Sequence, residues 1–565
     1  MLNYQHWGPA FFLLFAFALN FALILLPGFA VAVTLGSRRQ ITPVYRVIVM
    51  MATTATLGYA SFWLFFISRP AGKLFTFLVY GLALFSFFRI RKAIRQAAAP
   101  FLLALLAGFC YLSVLYLFGD PKHQEAGLAG ARFFETVEPG DNIIPLLFAE
   151  KVYNHEPLRP FCCEGALSSD RPPLQAGIFL LEQPLRLTGV GLHYQLLGTA
   201  LQCLWVCGAW CLLTALGATQ RRIRQVIVIL TCSGFFFYNS VYVWPKLLTA
   251  AYMLCAFSIV CDVIRTRTPA TGFQTSLAAL CLGLALTAHP GSMFSLPAFS
   301  LLLLRYRQLF TLRQAGLALG IVLAFYLPWS AYQRIVDPPG NYLLKVHLAG
   351  QLSLDSRSTW QAIADAYRER SRREILSHKL SNIGTLFGGD PWAVFVPSRL
   401  RYNGIASSRA AQRGWIWSGL GLLNVGWLGM VWLLFRRKHF PAVPYSPWLL
   451  AGAIFNLIVW SAVLFGPGGT GTPHSSYTDI VLLSIGLCGY LLALPPVFVF
   501  AVFALQIWNF IVVWALFPPV SNFPPGTTIE VPFLVSGTLA LGALIWIFTR
   551  ACLHCEPPAQ GCTLL

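Results

Sequence analysis

Apolar residues run along this chain in blocks of roughly 20, the length an α-helix needs to cross a bilayer. The blocks cover approximately 9–36, 45–68, 74–88, 97–118, 196–218, 225–243, 247–264, 275–289, 291–304, 314–332, 415–435, 446–465, 477–493, 496–517 and 533–549. The pattern predicts an all-α, polytopic integral membrane protein with about 15 spans, in a range of roughly 13–16. The first block is interrupted by Pro27-Gly28, so a tilt, a kink or a re-entrant pair is expected there. The two-residue alternation of an outer-membrane barrel is absent.

Two polar stretches break the rhythm, 119–195 and 333–414. They divide the chain into N-terminal spans (1–118), a first long loop (119–195), core spans (196–332), a second long loop (333–414) and C-terminal spans with a short tail (415–565). The first loop holds ten of the twenty Asp and Glu residues. Loops this long in compact proteins tend to carry function.

Charge orients the spans. The links at 37–46, 89–95, 221–224, 265–267, 305–313 and 436–438, with Arg550, hold 19 of the 40 Lys and Arg residues. The acids on that side are Asp262 and Glu556. The positive-inside rule makes this side cytoplasmic. The N-terminus is then outside, the C-terminus cytoplasmic, and both long loops periplasmic. No basic n-region precedes the first apolar block, so it does not read as a cleaved signal. The same asymmetry accounts for the net charge of +20 without nucleic acid. At 57% hydrophobic and 11% charged residues, the chain is neither a soluble enzyme nor disordered nor a coiled coil. Most of the 14 cysteines lie in apolar blocks, where Cys acts as a small hydrophobe. The tail residues Cys552, His554, Cys555 and Cys562 have loosely metal-like spacing.

Chemistry concentrates in the first loop. Asp141-Asn142 is followed by Pro145, Phe148-Ala149, Glu150 and Tyr153, and about 30 residues after Asp141 comes Asp170-Arg171-Pro172-Pro173-Leu174. Each half reads as the start of a short helix, with Asp141 or Asp170 as N-cap and proline in the first turn. Capping does not explain an acid at a span exit followed by a Pro-Pro-Leu element before the next span.

Residues 141–180 resemble the GT-C superfamily of membrane glycosyltransferases, in particular its protein O-mannosyltransferases and lipid A aminoarabinose transferases. The matching pieces are Asp141, Phe148-Ala149, Tyr153 and Asp170 to Leu174. The chain departs from that pattern in three extra spans ahead of the loop. It also has a single Asp followed by Asn, which argues against a two-acid metal site. The resemblance implies transfer of a sugar from a polyprenyl phosphate carrier to a periplasmic glycan, lipid or protein acceptor. A pentose such as arabinofuranose is one donor option. No cofactor is required and no metal is indicated.

Such a reaction needs a carboxylate to take the acceptor's proton, cations for the departing phosphate and a groove that admits the carrier from lipid. Asp141 is the candidate base. Candidates around the substrates are Asp170, Arg171, Tyr153, Lys246 after Trp244-Pro245, His289 at a span end, and His474 with Tyr477 after the glycine-rich run at 466–471. A span-end Lys often only snorkels, Arg171 is placed to pair with Asp170, and a span-end His is usually structural. The candidates share one membrane face under a topology derived without them. In the second loop, 357–380 reads as one interfacial helix with Trp360 and Tyr367 on its apolar face and four arginines nearby, lying on anionic headgroups or recruiting the donor.

The expected protein is therefore a multi-pass inner (plasma) membrane glycosyltransferase with a periplasmic site, partnered by lipid, donor and acceptor and by no nucleic acid. The alternatives are a transporter or flippase for lipid-linked glycans and a non-catalytic envelope scaffold. A transporter predicts polar residues at mid-membrane, which are sparse here.

Overall fold

The apolar blocks fold as helices that stop where the sequence supplies Pro, Gly or a capping Thr. A computed structural model describes residues 2–38, 41–90, 98–119, 142–161, 167–387, 415–436, 441–466, 477–516 and 528–553. The first spans are α1 (Trp7–Arg38), α2 (Pro43–Ile67), α3 (Arg69–Ile90) and α4 (Ala98–Leu115). In the first loop lie α5 (Ile144–Asn154) and α6 (Leu174–Glu182). The core follows as α7 (Val190–Cys203), α8 (Trp205–Ala215), α9 (Gln220–Thr231), α10 (Gly234–Val241), α11 (Lys246–Thr266), α12 (Gly272–Ala288), α13 (Leu296–Arg305) and α14 (Leu312–Ile335). The second loop contributes α15 (Tyr342–Ala349), α16 (Thr359–Arg368) and α17 (Arg372–Phe387). The chain ends with α18 (Val425–Arg436), α19 (Ser446–Val463), α20 (Tyr477–Leu491), α21 (Pro496–Asn509) and α22 (Val531–Leu553).

Among the described residues, ten helical segments are long and apolar enough to cross a membrane, and three shorter apolar helices (Gly272–Ala288, Gly421–Arg436, Tyr477–Leu491) accompany them. The chain is a multi-pass membrane protein. Burial sorts the helices. The segment Val190–Ala215 is buried along its whole apolar window, whereas Leu312–Ile335 is buried over 11% of its window. A helix apolar all round and fully covered is a bundle centre. A helix that exposes Leu312, Leu319 and Leu327 is a rim facing lipid.

Side-chain contacts define two ends. At one, the first loop, the second loop and the start of α11 meet. At the other, Tyr45 at the start of α2 donates to Asp262 at 2.9 Å, Arg265 pairs with Asp262 at 2.9 Å, and Gln274 donates to Tyr45 at 2.8 Å. Helices leave this second end through threonine caps. Thr219, Thr271 and Thr311 each accept from the backbone N–H three residues on, a contribution of about 1 kcal/mol apiece. Two interrupted stretches, α9–α10 and the 3₁₀ turn Pro290–Ser295 with α13, run between the same ends.

Two expectations change. α1 is one continuous helix through Pro27, not a re-entrant pair. The single helix expected over 357–380 is split into α16 and α17, because Ser371 and Glu374 form a new capping box: Ser371 N–H donates to the carboxylate at 2.8 Å and Glu374 N–H to the hydroxyl at 3.3 Å. At the N-terminus, Leu2–Asn3 pairs in parallel with Ile529–Glu530, and Asn3 and His6 both bond the buried Glu530 carboxylate.

α6 positions the site. It packs into α2, where Gly177 faces Gly58 so closely that a Cβ on Gly177 would stand 2.3 Å from the Gly58 carbonyl oxygen. Glycine on both helices lets the backbones touch, the usual device for close helix pairing in membranes.

Candidate active site

α5 and α6 converge at the loop end. α5 starts at Ile144 with Pro145 in its first turn and no side-chain cap. Asp141 lies outside the described residues, three positions ahead of that start. Asp170 does not cap α6. Its carboxylate accepts the Leu167 N–H at 3.0 Å, closing the turn Ser168–Asp170, and α6 begins at Leu174 after the two prolines. The neighbour of Asp141, Asn142, is buried, and its carbonyl accepts the Tyr194 hydroxyl at 2.7 Å. Gln175 of α6 donates both to that hydroxyl, at 2.9 Å, and to the Val243 carbonyl, at 2.6 Å. Val243 holds a φ of +53°, a left-handed backbone that a β-branched residue rarely adopts. Strain of this kind costs about 1–3 kcal/mol and persists where the surroundings enforce it. Here it turns the chain into Trp244-Pro245-Lys246.

Lys246 does not snorkel. It is 2% exposed, its ammonium sits 3.3 Å from the Trp244 ring centroid and 4.7 Å from that of Tyr477, and it donates to the Tyr477 hydroxyl at 3.4 Å. Aromatic faces stabilise a desolvated cation by about 2 kcal/mol. Trp244 is itself fixed, donating to Asn239 at 3.2 Å. His289, the C-cap of α12, is also buried, and its Nδ1 accepts the Gly291 N–H at 3.0 Å. That bond leaves the ring proton on Nε2 as a donor. Burial, followed by the charges of Lys246, Arg171 and His347, holds the His289 pKa well below the usual imidazole range. Three basic groups from three separate segments thus act on one buried imidazole.

The two loops are clasped beside this cluster. Asp337, buried at the end of α14, accepts from Ser168 Oγ at 2.7 Å, Ser169 N–H at 2.8 Å and Arg159 Nε at 2.6 Å. Burial pushes its pKa up, but these three bonds outweigh it and hold the carboxyl below its usual range. Tyr332 shares a 2.6 Å hydrogen bond with Ser168, and Gln333 donates to the Ser169 carbonyl at 2.9 Å. The residues flanking Asp170-Arg171 are therefore held by the second loop. On the far side, the turn from His289 ends at Ser295, which donates to the fully buried Asp479 at 3.0 Å; Asn456 donates to the same carboxylate at 2.7 Å.

Of the residues singled out in the sequence, Arg171, Lys246, His289 and Tyr477 are drawn together. Asp170 is next to Arg171, and its charge, after burial, raises the pKa of Tyr342. Tyr153 is set apart. It lies at the other end of α5, about 15 Å from Asn142 by helical rise, against Phe65 and under Arg69 and Lys73, whose cations are 4.3 and 5.7 Å from its ring. His474 lies outside the described residues, as do His554, Cys555 and Cys562. Asp337 and His347 were missed. Asp337 carried a local signal, an acid five positions past the apolar block 314–332. His347 carried none, since no motif surrounds it in the sequence.

A cavity of about 660 Å³ opens on the flank at the same end. α17 contributes Ile383 and Phe387, α18 Leu428, α19 Ile458 and α20 Leu483. Leu428 and Ile458 are more than half exposed, which marks the mouth. Leu483 lies six residues from Tyr477 on α20, about 9 Å along the helix.

No family model matches the chain, and no curated protein matches it. Among solved structures, it is similar to that of ArnT from Cupriavidus metallidurans bound to undecaprenyl phosphate. The similarity has 13% identity and a TM-score of 0.42, and it covers 81% of this chain and 70% of that one. At this identity and score, function rests on this chain's own residues.

Proposed function

We propose that this protein is a GT-C type glycosyltransferase that moves a sugar from a polyprenyl phosphate to an acceptor on the outer face of the membrane. The observation that carries the reading is the buried Lys246 ammonium, held 3.3 Å from the Trp244 ring and 4.7 Å from that of Tyr477 at the span end that also carries the buried His289. A cluster of basic groups walled by aromatic rings suits a phosphate whose negative charge grows as it departs. The flank cavity suits the prenyl tail, which must stay in lipid while its phosphate reaches the cluster.

In this reading the acceptor hydroxyl oxygen attacks the anomeric carbon of the donor. The carbon–oxygen bond to the phosphate breaks, and its electron pair stays on the polyprenyl phosphate. The hydroxyl proton passes to the Asp141 carboxylate. Lys246, Arg171 and His289 hold the phosphate, Tyr477 and His474 flank it, and Asp170 positions Arg171. Tyr153, with Arg69 and Lys73 over its ring, is left for the acceptor side. A pentose such as arabinofuranose is one donor option; the acceptor is a periplasmic glycan, lipid or protein, and the membrane the inner one, crossed about 15 times.

Incubating the purified protein in lipid vesicles with polyprenyl-phosphate-linked sugars and an envelope extract tests this. Release of free polyprenyl phosphate, matched by new glycan mass in the extract, supports a transferase. Movement of intact donor across the vesicle without cleavage indicates a flippase and contradicts the proposal.

A further inference from the structure

α6 ends on a buried carboxyl that takes no part in the cluster around Lys246. Glu182, its last residue, is fully buried, and its chain neighbours Leu181 and Gln183 are buried as well. The Tyr80 hydroxyl of α3 donates to Glu182 Oε1 at 3.4 Å. Oε2 is enclosed and has no hydrogen-bond partner in the protein.

The titratable groups on the surrounding elements are turned elsewhere. α6 packs against α2, α3, α5, α7 and α12. In α2, Tyr59 donates to the Phe325 carbonyl. In α5, Lys151 donates to the Pro157 carbonyl at 2.8 Å, and Tyr153 lies under Arg69 and Lys73, the cations at the start of α3. In α7, His193 is bonded to Asn20 at 3.4 Å, and Tyr194 donates to the Asn142 carbonyl at 2.7 Å. In α12, Cys281 faces Cys255 of α11. Arg186, on the turn after α6, is exposed. Among the described residues, Tyr80 is the one side chain that acts on the Glu182 carboxyl.

An ionised carboxylate here would have one long hydrogen bond and no cation. Taking that charge out of water costs far more than one such bond returns, whereas a neutral acid forfeits at most a hydrogen bond. A metal ion would balance the charge only with a shell of oxygens around it. Tyr80 supplies one; Thr76, a turn earlier on the same face of α3, is buried and donates back to the Gly72 carbonyl at 3.2 Å. We propose that Glu182 is a proton-binding site, whose carboxyl holds a proton at neutral pH and, as a neutral acid, latches the end of α6 to Tyr80 of α3. Loss of the proton leaves a bare charge between packed helices, so the seat of α6 is tied to the occupancy of this site. The first turn of the same helix carries Gln175, about 10 Å along the axis, which donates to Tyr194 and to the Val243 carbonyl. The proton thereby steadies the network beside Lys246, whatever reaction that network serves.

Infrared spectroscopy of the full-length protein in detergent at pH 8 tests this, because ordinary Asp and Glu side chains, with pKa values of about 4, are ionised there. The wild type is expected to show the carbonyl stretch of a protonated carboxylic acid, and Glu182→Gln to lose the intensity of one such group. Tyr80→Phe keeps the acid but removes the bond to Oε1, so it should move the band to higher frequency; it serves if Glu182→Gln does not fold. Sodium chloride and choline chloride should give the same band. Identical spectra of the wild type and folded Glu182→Gln overturn the proposal, as does a band that Tyr80→Phe leaves in place. Disappearance of the band in sodium alone also overturns it, assigning the carboxyl to a metal cation.

Discussion

At the scale of single residues, the cation cluster separates binding from packing. Lys246 is enclosed by Trp244 and Tyr477, and a hydrogen bond from a charged donor contributes about 1.5–3 kcal/mol. Lys246→Ala is therefore expected to weaken donor binding by about 10- to 100-fold in the same monodisperse protein, read from KM for the donor, while Lys246→Arg keeps part of the affinity. Loss of fold without a binding defect in the folded fraction would make Lys246 structural. His289 supplies the pH dependence. Its folded pKa lies below the usual imidazole value, so its stabilising contribution is present above about 6.5 and is lost as the pH falls and the unfolded chain takes up protons first. A bound phosphate raises that pKa again. Polyprenyl phosphate should accordingly bind the wild type more tightly at pH 6 than at pH 8, by a margin that His289→Gln reduces. An identical pH profile in both would show that the imidazole does not meet the phosphate. Arg171, Lys246 and His289 could be singled out in the sequence because each stands next to a proline, Lys246 and His289 also at a span end. His347 was not, since nothing local distinguishes it.

At the scale of elements, long apolar blocks were readable and short polar helices were not. Hydrophobic length alone marks α2 or α11, whereas the break between α16 and α17 turns on one serine and one glutamate whose mutual bonds are worth about 1 kcal/mol. The cap expected at Asp170 failed for a similar reason. At Asp170 the chain spends the carboxylate on a tight turn, because the prolines that follow delay α6 to Leu174. The element-level device with the largest consequence is the Asp337 clasp, which ties the Ser168–Asp170 turn to α14. Asp337→Asn removes the charge and leaves one oxygen for the three donors now shared by two. The expected result is a lower thermal midpoint in detergent, corresponding to about 1–3 kcal/mol, together with a raised KM for the donor as Arg171 loosens. An unchanged midpoint and KM would show that the loops are held elsewhere.

At the scale of the molecule, charge and chemistry divide between the two ends. Arg221, Arg222, Arg265 and Arg305 lie at the end remote from the loops, while Arg171, Lys246 and His289 share the other. The positive-inside rule predicts that the loop end is outside. Single cysteines at positions 171, 246 and 289 in a cysteine-reduced background should be protected from a membrane-impermeant reagent added from the cytoplasmic side of inverted vesicles. Labelling of position 171 from that side would reverse the topology. The helical bundle and the division into two loop clusters could be read from hydropathy, but the packing of those loops onto the span ends could not, because it depends on contacts such as Arg159 with Asp337, 178 positions apart. The central claim is that Asp141 accepts the proton of the acceptor while the cluster holds the phosphate. Its most direct test is sugar transfer by purified Asp141→Asn protein, since Asn keeps the size and capping ability of Asp but cannot act as a base. The account predicts a folded, monodisperse protein that still binds polyprenyl phosphate and transfers sugar at least about 10²-fold more slowly. Near-normal transfer by that variant would contradict it.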